Sequence, residues 1–133
     1  LIIHKVLWSE VEIAEDSYNE EFLASLRDLY KEAESKNLYV IIEAIANQPS
    51  WIDSNYSKAD IDYHFTQALK HTARRVKDCT NVLGLYLGNS DFLDFSRTYF
   101  QQNFYDELSK KHKHYIFFAK SPAIDSFYNI EII

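Results

Sequence analysis

The sequence predicts an α/β domain with a mostly parallel sheet of four to five strands and three long helices. Short segments rich in β-branched and aromatic residues alternate with longer segments whose apolar residues recur at helical spacing, as in parallel sheets. The chain has 133 residues, 47% of them hydrophobic, and no linker-like tract, so we expect a single α/β domain over residues 1–133. The pattern fits either a half-barrel-like sheet or an open doubly wound one.

The first third of the chain predicts a strand and a helix. Residues 1–8 are nearly all apolar, which predicts a strand buried on both faces. The acidic residues 9–16 are expected to form a loop or strand extension. Residues 17–20 match a capping box, which predicts a helix over residues 19–35. Asn37 then stands where Gly would usually end a helix.

The next strand is predicted over residues 38–45, and Glu43 is the one charged residue inside it. A carboxylate in such a run must be paired, lie at a strand end or serve a function, and Lys5 or His4 could pair with it. Residues 47–58 have the composition of a loop. The remaining predicted elements are a second helix capped by Asp60 or Asp62, a third strand (82–87), a third helix capped by Ser90, and further strands over residues 114–119 and 127–133.

Composition and charge exclude several classes of function. The formal net charge of −6 disfavours nucleic acid and anionic membrane partners. No apolar run approaches the roughly 20 residues of a membrane helix, so we expect a soluble chain. Two glycines cannot build a dinucleotide fingerprint, and no cofactor is predicted. The chain has no methionine, so we expect a processed or trimmed form.

The sequence predicts no metal site among the titratable residues. His64 and His71 lie seven residues apart, roughly on one helix face, but no third ligand is paired with them. Glu10 and Glu12 would share one face if extended, where they could perform acid–base chemistry, or they could belong to a solvated acidic loop. Cys79 is expected to be a packed or loop thiol.

The sequence predicts one ligand site. Its five residues, named below, fall near the carboxyl ends of predicted strands, where parallel sheets bind ligands. Tyr56 and Tyr63 could join the two tryptophans among them as stacking platforms for sugar rings. The polar residues at the start of the helix that follows the third strand could alternatively serve only as helix caps. The five predicted ligand-binding residues are Trp8, Glu43, Trp51, Asn89 and Asp91.

Residues 6–12, 18–23, 38–42 and 81–89, taken in order, resemble strands two to five of cellulase-like TIM-barrel glycoside hydrolases. The resemblance implies a barrel-type parallel sheet. In that family the fourth strand ends in Asn-Glu and the Glu is the proton donor, whereas here Ser90 follows Asn89.

The chain departs from the family elsewhere too. The third strand of the family commonly ends in Asp-x-His, where this chain has Glu43 and Ile45, and a family Arg aligns loosely with Lys5. The second catalytic carboxylate lies on the seventh strand, beyond the matched segment. A complete barrel takes about 250 residues, so we expect that the chain is a fragment, pairs with a copy of itself, or is an open doubly wound sheet whose resemblance is fortuitous.

These observations favour a non-catalytic domain related to barrel glycoside hydrolases that binds a glycan or another small ligand. One alternative is a protein-interaction or regulatory module with a flavodoxin-like or anti-sigma-antagonist-like sheet. A second is a divergent glycoside hydrolase that uses Glu10, Glu12 or Glu43. A bare sheet edge would favour a homodimer or a segment that covers the edge.

Overall fold

The computed structural model describes residues 1–87, 106–112, 115–119 and 130–132, and these form an α/β arrangement around one parallel sheet. In chain order the elements are β1 (Ile2–Leu7), α1 (Trp8–Val11), β2 (Glu12–Ala14), β3 (Ser17–Tyr18), α2 (Glu20–Ser35), β4 (Val40–Ile45), α3 (Lys58–Arg75), β5 (Val82–Leu87), α4 (Asp106–Lys111), β6 (Ile116–Ala119) and β7 (Ile130–Ile132).

The large sheet is open and follows the chain from one strand to the next. Its order is β1-β4-β5-β6-β7, and every neighbouring pair is parallel. The predicted parallel α/β sheet is therefore confirmed, and its sequential order differs from the doubled-back order of flavodoxin-like doubly wound sheets. Right-handed crossovers in a sequential sheet place their helices on one face, and α2 contacts α3. The homodimer stays a prediction.

The two faces of the sheet differ at its β1 edge. Val6 and Ile42 belong to the buried core that also contains the helix side chains. On the opposite face Lys5 lies beside Glu43 in the parallel register, and Ile3 keeps 51% of its surface exposed. The prediction that this first strand is buried on both faces is wrong, because β1 is the edge strand and its second face lies open.

The segment between β1 and α2 is more ordered than a loop. It forms the helical turn α1 and then the antiparallel hairpin of β2 and β3. The predicted capping box is also wrong, because Ser17 lies in β3. Asn19 caps α2 instead, and its side chain accepts a hydrogen bond of 3.0 Å from the Phe22 amide.

The C-terminus of α2 confirms the predicted role of Asn37. This residue has φ 59°, a left-handed conformation that Asn tolerates better than most residues. The Leu38 amide donates to the Ala33 carbonyl at 2.9 Å, and the Asn37 amide donates to the Glu34 carbonyl at 3.0 Å. This pair of bonds is a Schellman motif, which satisfies two of the last carbonyls of the helix.

Helix α3 begins one turn earlier than predicted. Ser57 is the cap, and its side chain accepts from the Asp60 amide while the Asp60 carboxylate accepts from the Ser57 amide. Asp60 is thus the second member of a capping box, and Asp62 is a buried residue within the helix. The helix buries a stripe of side chains at Phe65, Leu69, Thr72, Ala73 and Val76, with Ile61 partly buried beside it.

Polar contacts tie α2 to the sheet. The Asn81 side chain donates to the carbonyls of Tyr30 at 3.1 Å and Leu38 at 2.9 Å. His4 Nδ1 lies 2.8 Å from the Tyr30 hydroxyl, on the helix side of β1. His4 is therefore not the partner of Glu43. Cys79 is buried, as a packed thiol should be.

The predicted third helix is described only at its end, where α4 covers residues 106–111. Its predicted cap, Ser90, lies outside the described residues.

Gly84 allows β5 and β6 to approach closely, since it lies opposite Ile116 in their register. A Cβ atom at this position would lie 1.7 Å from the Ile116 carbonyl oxygen. We therefore expect Gly84→Ala to lower the free energy of unfolding by about 3 kcal/mol through overpacking, measured by urea denaturation. Asn37→Gly is the control, because its φ suits Gly, and it should stay within about 1 kcal/mol of wild type. An unchanged midpoint for Gly84→Ala would contradict the close approach.

Candidate functional site

Two loops meet at the carboxyl edge of the sheet. Residues 8–18 follow β1 and residues 46–57 follow β4, and these strands are parallel neighbours whose carboxyl ends lie side by side. The Asn47 side chain joins the loops, because its Nδ2 donates to Ser9 Oγ at 2.5 Å and its Oδ1 accepts from the Ser9 amide at 3.4 Å. This edge is where open parallel sheets usually bind ligands.

Glu12 lies at the centre of this edge and has no exposed surface. Its Oε1 accepts a hydrogen bond of 2.9 Å from Trp8 Nε1, and its Oε2 accepts one of 2.8 Å from the Asp16 amide. Its backbone carbonyl accepts from Trp51 Nε1 at 3.1 Å. Burial raises the pKa of the Glu12 carboxyl, and this effect exceeds the opposite effect of the two hydrogen bonds on the pKa.

His64 projects from α3 into the same cluster and is also buried. Its Nε2 lies 3.2 Å from a carboxylate oxygen of Glu15, and its Nδ1 lies 3.6 Å from Asp16 and 3.9 Å from Glu12. The imidazole therefore faces three carboxyl groups. The exposed carboxylates of Glu15 and Asp16 give this part of the surface its negative charge.

Aromatic rings surround His64 on several sides. The rings of Trp51, Tyr56 and Tyr63 have centroids 5.4, 5.9 and 5.3 Å from the imidazole, all in edge-to-face orientations. Tyr63 is 49% exposed, and the other two rings are half-buried. Partial burial and the carboxylate of Glu15 raise the pKa of the Tyr56 hydroxyl. The edge therefore presents partly exposed rings beside exposed carboxylates.

Three residues of the cluster could ligate a metal ion. Glu12, Asp16 and His64 each offer one ligand atom, and these atoms lie within 4.8 Å of one another. Ligands of a tetrahedral zinc ion at about 2.1 Å stand about 3.4 Å apart, close to the separations seen here. The sequence-based expectation of no metal site stays a prediction.

The predicted ligand residues divide into three groups. Trp8 and Trp51 do come together, with ring centroids 6.3 Å apart, but Trp8 is only 2% exposed and belongs to the core. Glu43 is half-buried on the face of the sheet opposite the core helices, where it lies beside Lys5 in the register. Asn89 and Asp91 lie outside the described residues.

Sequence reasoning missed the joint role of Glu12 and His64. The hypothesis that Glu10 and Glu12 share one face or a solvated loop is wrong for Glu12, because α1 turns one side chain inward and leaves Glu10 exposed. The sequence showed no third ligand for the pair of His64 and His71. In the structure, Glu12 and Asp16 of the hairpin lie beside His64 instead. A buried Trp four residues before a Glu was the available signal, since an indole N–H needs an acceptor when buried.

Loss of the Glu12 carboxylate should destabilise the fold. Glu12→Ala would leave the Trp8 and Asp16 donors unsatisfied and open a cavity, and we expect the free energy of unfolding to fall by about 3 kcal/mol. Glu10→Ala, two residues away at an exposed position, should change it by no more than about 0.5 kcal/mol. Urea denaturation of both variants measures the difference, and equal effects would refute the assigned role of Glu12.

The raised pKa of Glu12 predicts a specific pH dependence. A carboxyl whose pKa is higher in the folded state contributes stability below its unfolded pKa of 4.5 and loses that contribution as pH rises through the folded pKa. The stability of wild type relative to Glu12→Gln should therefore decrease as pH rises above 4.5. Denaturation curves from about pH 4 to about pH 8 test this, with Glu10→Gln expected to follow wild type. A flat difference between wild type and Glu12→Gln would be the contrary result.

No protein-family model, curated protein sequence or solved structure matches the chain. None of the helices in the described ranges combines the length and apolarity needed to cross a bilayer. The function must therefore be argued from the site itself.

Proposed function

We propose that this protein is a non-catalytic domain, related to barrel glycoside hydrolases, that binds carbohydrate at the carboxyl edge of its sheet. The observation that carries the proposal is the cluster of partly exposed rings and carboxylates that surrounds His64. The sequential order of the parallel strands supports the relationship, since barrels have that order.

The composition of this edge suits a neutral sugar. The C–H faces of a sugar ring pack against aromatic side chains, and Tyr63, Tyr56 and Trp51 provide such rings. Sugar hydroxyls donate hydrogen bonds, and carboxylates are strong acceptors. The side chains of Glu15 and Asp16 are 52% and 68% exposed, so a hydroxyl can reach their oxygens. The negative charge of the edge disfavours an anionic ligand there.

The same residues do not supply the chemistry of glycosidic cleavage. The family's proton donor is replaced by Ser90, whose hydroxyl cannot protonate a leaving oxygen near neutral pH. Glu12 has the raised pKa that a general acid needs. It is nevertheless fully buried, with both oxygens engaged by N–H donors. A glycosidic oxygen cannot reach it, which argues against the divergent hydrolase.

The regulatory alternative has less support. Its flavodoxin-like form requires a doubled-back strand order, and the order of the described strands is sequential.

Calorimetric titration with β-linked glucose and xylose oligosaccharides tests the binding. Tyr63 is the ring to remove, because it is exposed and its loss should leave the core intact. We expect Tyr63→Ala to weaken binding about tenfold, the equivalent of one lost aromatic contact. Tyr39→Ala is the matched control, since Tyr39 is 55% exposed and precedes the amino end of β4. Absence of binding in wild type, or an equal loss in both variants, would defeat the proposal.

A panel of β-linked aryl glycosides tests the absence of cleavage. We expect no release of the aryl group above the buffer rate, because Glu12, whose pKa is raised, is buried and cannot reach a glycosidic oxygen. Turnover that disappears in Glu43→Gln would instead establish the divergent hydrolase.

A further inference from the structure

A second concave surface lies between α3 and α4, away from the acidic edge. It is a cleft of about 530 Å³, within the range of small-molecule sites. Gln67, Lys70, His71 and Arg74 line one wall, and their spacing of three and four residues places them on one face of α3. Leu108, Lys111 and His112 line the other wall.

The charge of this cleft is opposite to that of the chain. Four of its lining residues carry permanent positive charges, namely Lys70, Arg74, Lys77 and Lys111, and no acidic side chain lines it among the described residues. The whole chain has a formal net charge of −6. A concentration of positive charge on such a protein needs an explanation of its own.

The helix dipoles explain only part of this positive charge. The C-terminal ends of two helices carry partial charges equivalent to about one negative charge together, and basic residues near them are common. Four permanent cations exceed that requirement. They also come from two separate elements that face the same cleft, which isolated helix capping does not require.

The histidine of the cleft is already bonded in a way that orients the adjacent arginine. His71 Nε2 lies 2.6 Å from Glu20 Oε1, and Arg74 Nη2 lies 3.0 Å from His71 Nδ1. Since guanidinium groups only donate, Nδ1 accepts and Nε2 donates to Glu20. The other donors of Arg74 stay available for a ligand.

The cleft also has a non-polar component. The Tyr18 ring stacks on His71 with centroids 4.2 Å apart, and Leu108 is a buried residue of the opposite wall. An anion that carried an organic group could pack that group against these side chains while the cations held its charge.

We propose that the cleft between α3 and α4 is a binding site for a small molecule that bears one or more phosphate groups. Arg74 binds phosphate oxygens through its planar donors, Lys70, Lys77 and Lys111 act as point charges around them, and Tyr18 contacts the organic portion. The site is distinct from the proposed carbohydrate edge and does not depend on it.

Calorimetric titration with inorganic pyrophosphate, inorganic phosphate and phenyl phosphate tests the site. The double variant Lys77→Gln/Lys111→Gln removes one exposed cation from each wall. The control Lys58→Gln/Lys110→Gln removes the same charge at positions of α3 and α4 that do not line the cleft. We expect wild type to bind pyrophosphate, the double variant to bind it at least about tenfold more weakly, and the control to stay within about twofold of wild type.

The probes also separate the sources of the phosphate. Tighter binding of phenyl phosphate than of inorganic phosphate, lost in Tyr18→Ala, supports an esterified ligand, whereas equal binding supports a free polyphosphate. The proposal is overturned if wild type binds none of the three probes, or if the control loses as much affinity as the double variant. Tighter binding of a single-stranded oligonucleotide than of pyrophosphate would also overturn it. Pyrophosphate should raise the midpoint of urea denaturation of wild type and of the control but not of the double variant.

Discussion

The buried carboxylate of Glu12 is the interaction on which the carboxyl edge of the sheet depends. It accepts hydrogen bonds from the Trp8 indole and the Asp16 amide, and it faces His64 of α3. Its backbone receives the Trp51 indole from the second loop. The turn after β1, the hairpin, the loop after β4 and the long helix thus converge on one residue. Burying a carboxylate is costly, and the two N–H donors and the nearby imidazole offset that cost.

Those parts of the fold that depend on local periodicity could be predicted. The stripe of α3, the strand over residues 82–87 and the left-handed Asn37 each follow from neighbours in the chain. The exposed second face of β1 could not be predicted, because it depends on which strand lies at the edge. The helix caps were predicted wrongly for a related reason. Several Ser, Asn and Asp residues lie near each helix start, and tertiary packing determines that Asn19 and Ser57 are the caps.

The candidate site was harder to predict, because its partners are distant in sequence. Trp8 and Trp51 were expected at one strand end and do meet there. Their surroundings depend on the contact between Glu12 and His64, which exists only when the hairpin packs on α3. Residue spacing predicts which side chains share a helix face, but it does not identify the element that this face will meet. Glu43 illustrates the limit, since its place inside a strand was visible and its position on the face opposite the core helices was not.

Helix α3 serves two surfaces of opposite charge. His64, near its first turns, is surrounded by Glu12, Glu15 and Asp16, whereas His71, two turns later, lies in a cleft with Lys70 and Arg74. Acidic groups near the start of a helix and basic groups near its end both suit its dipole, so the segregation of charge costs the helix little. It gives an acidic chain one acidic surface and one basic surface. Under the two proposals the first suits neutral hydroxyl groups and the second suits phosphate, and the segregation would direct each ligand class to its own surface.

Under the proposed relationship to barrel glycoside hydrolases, Ser90 stands where the family has its catalytic acid. The described contacts that hold the carboxyl edge come from Glu12, Trp8, Trp51 and His64, so the edge does not need a carboxylate at position 90 to keep its shape. A catalytic acid in a site is often destabilising, because it is kept partly desolvated for its reaction. A domain that only binds sugar has no use for that strain. Under the proposed relationship, loss of the acid would remove the ability to cleave and would leave in place the rings and exposed carboxylates that are proposed to contact a sugar.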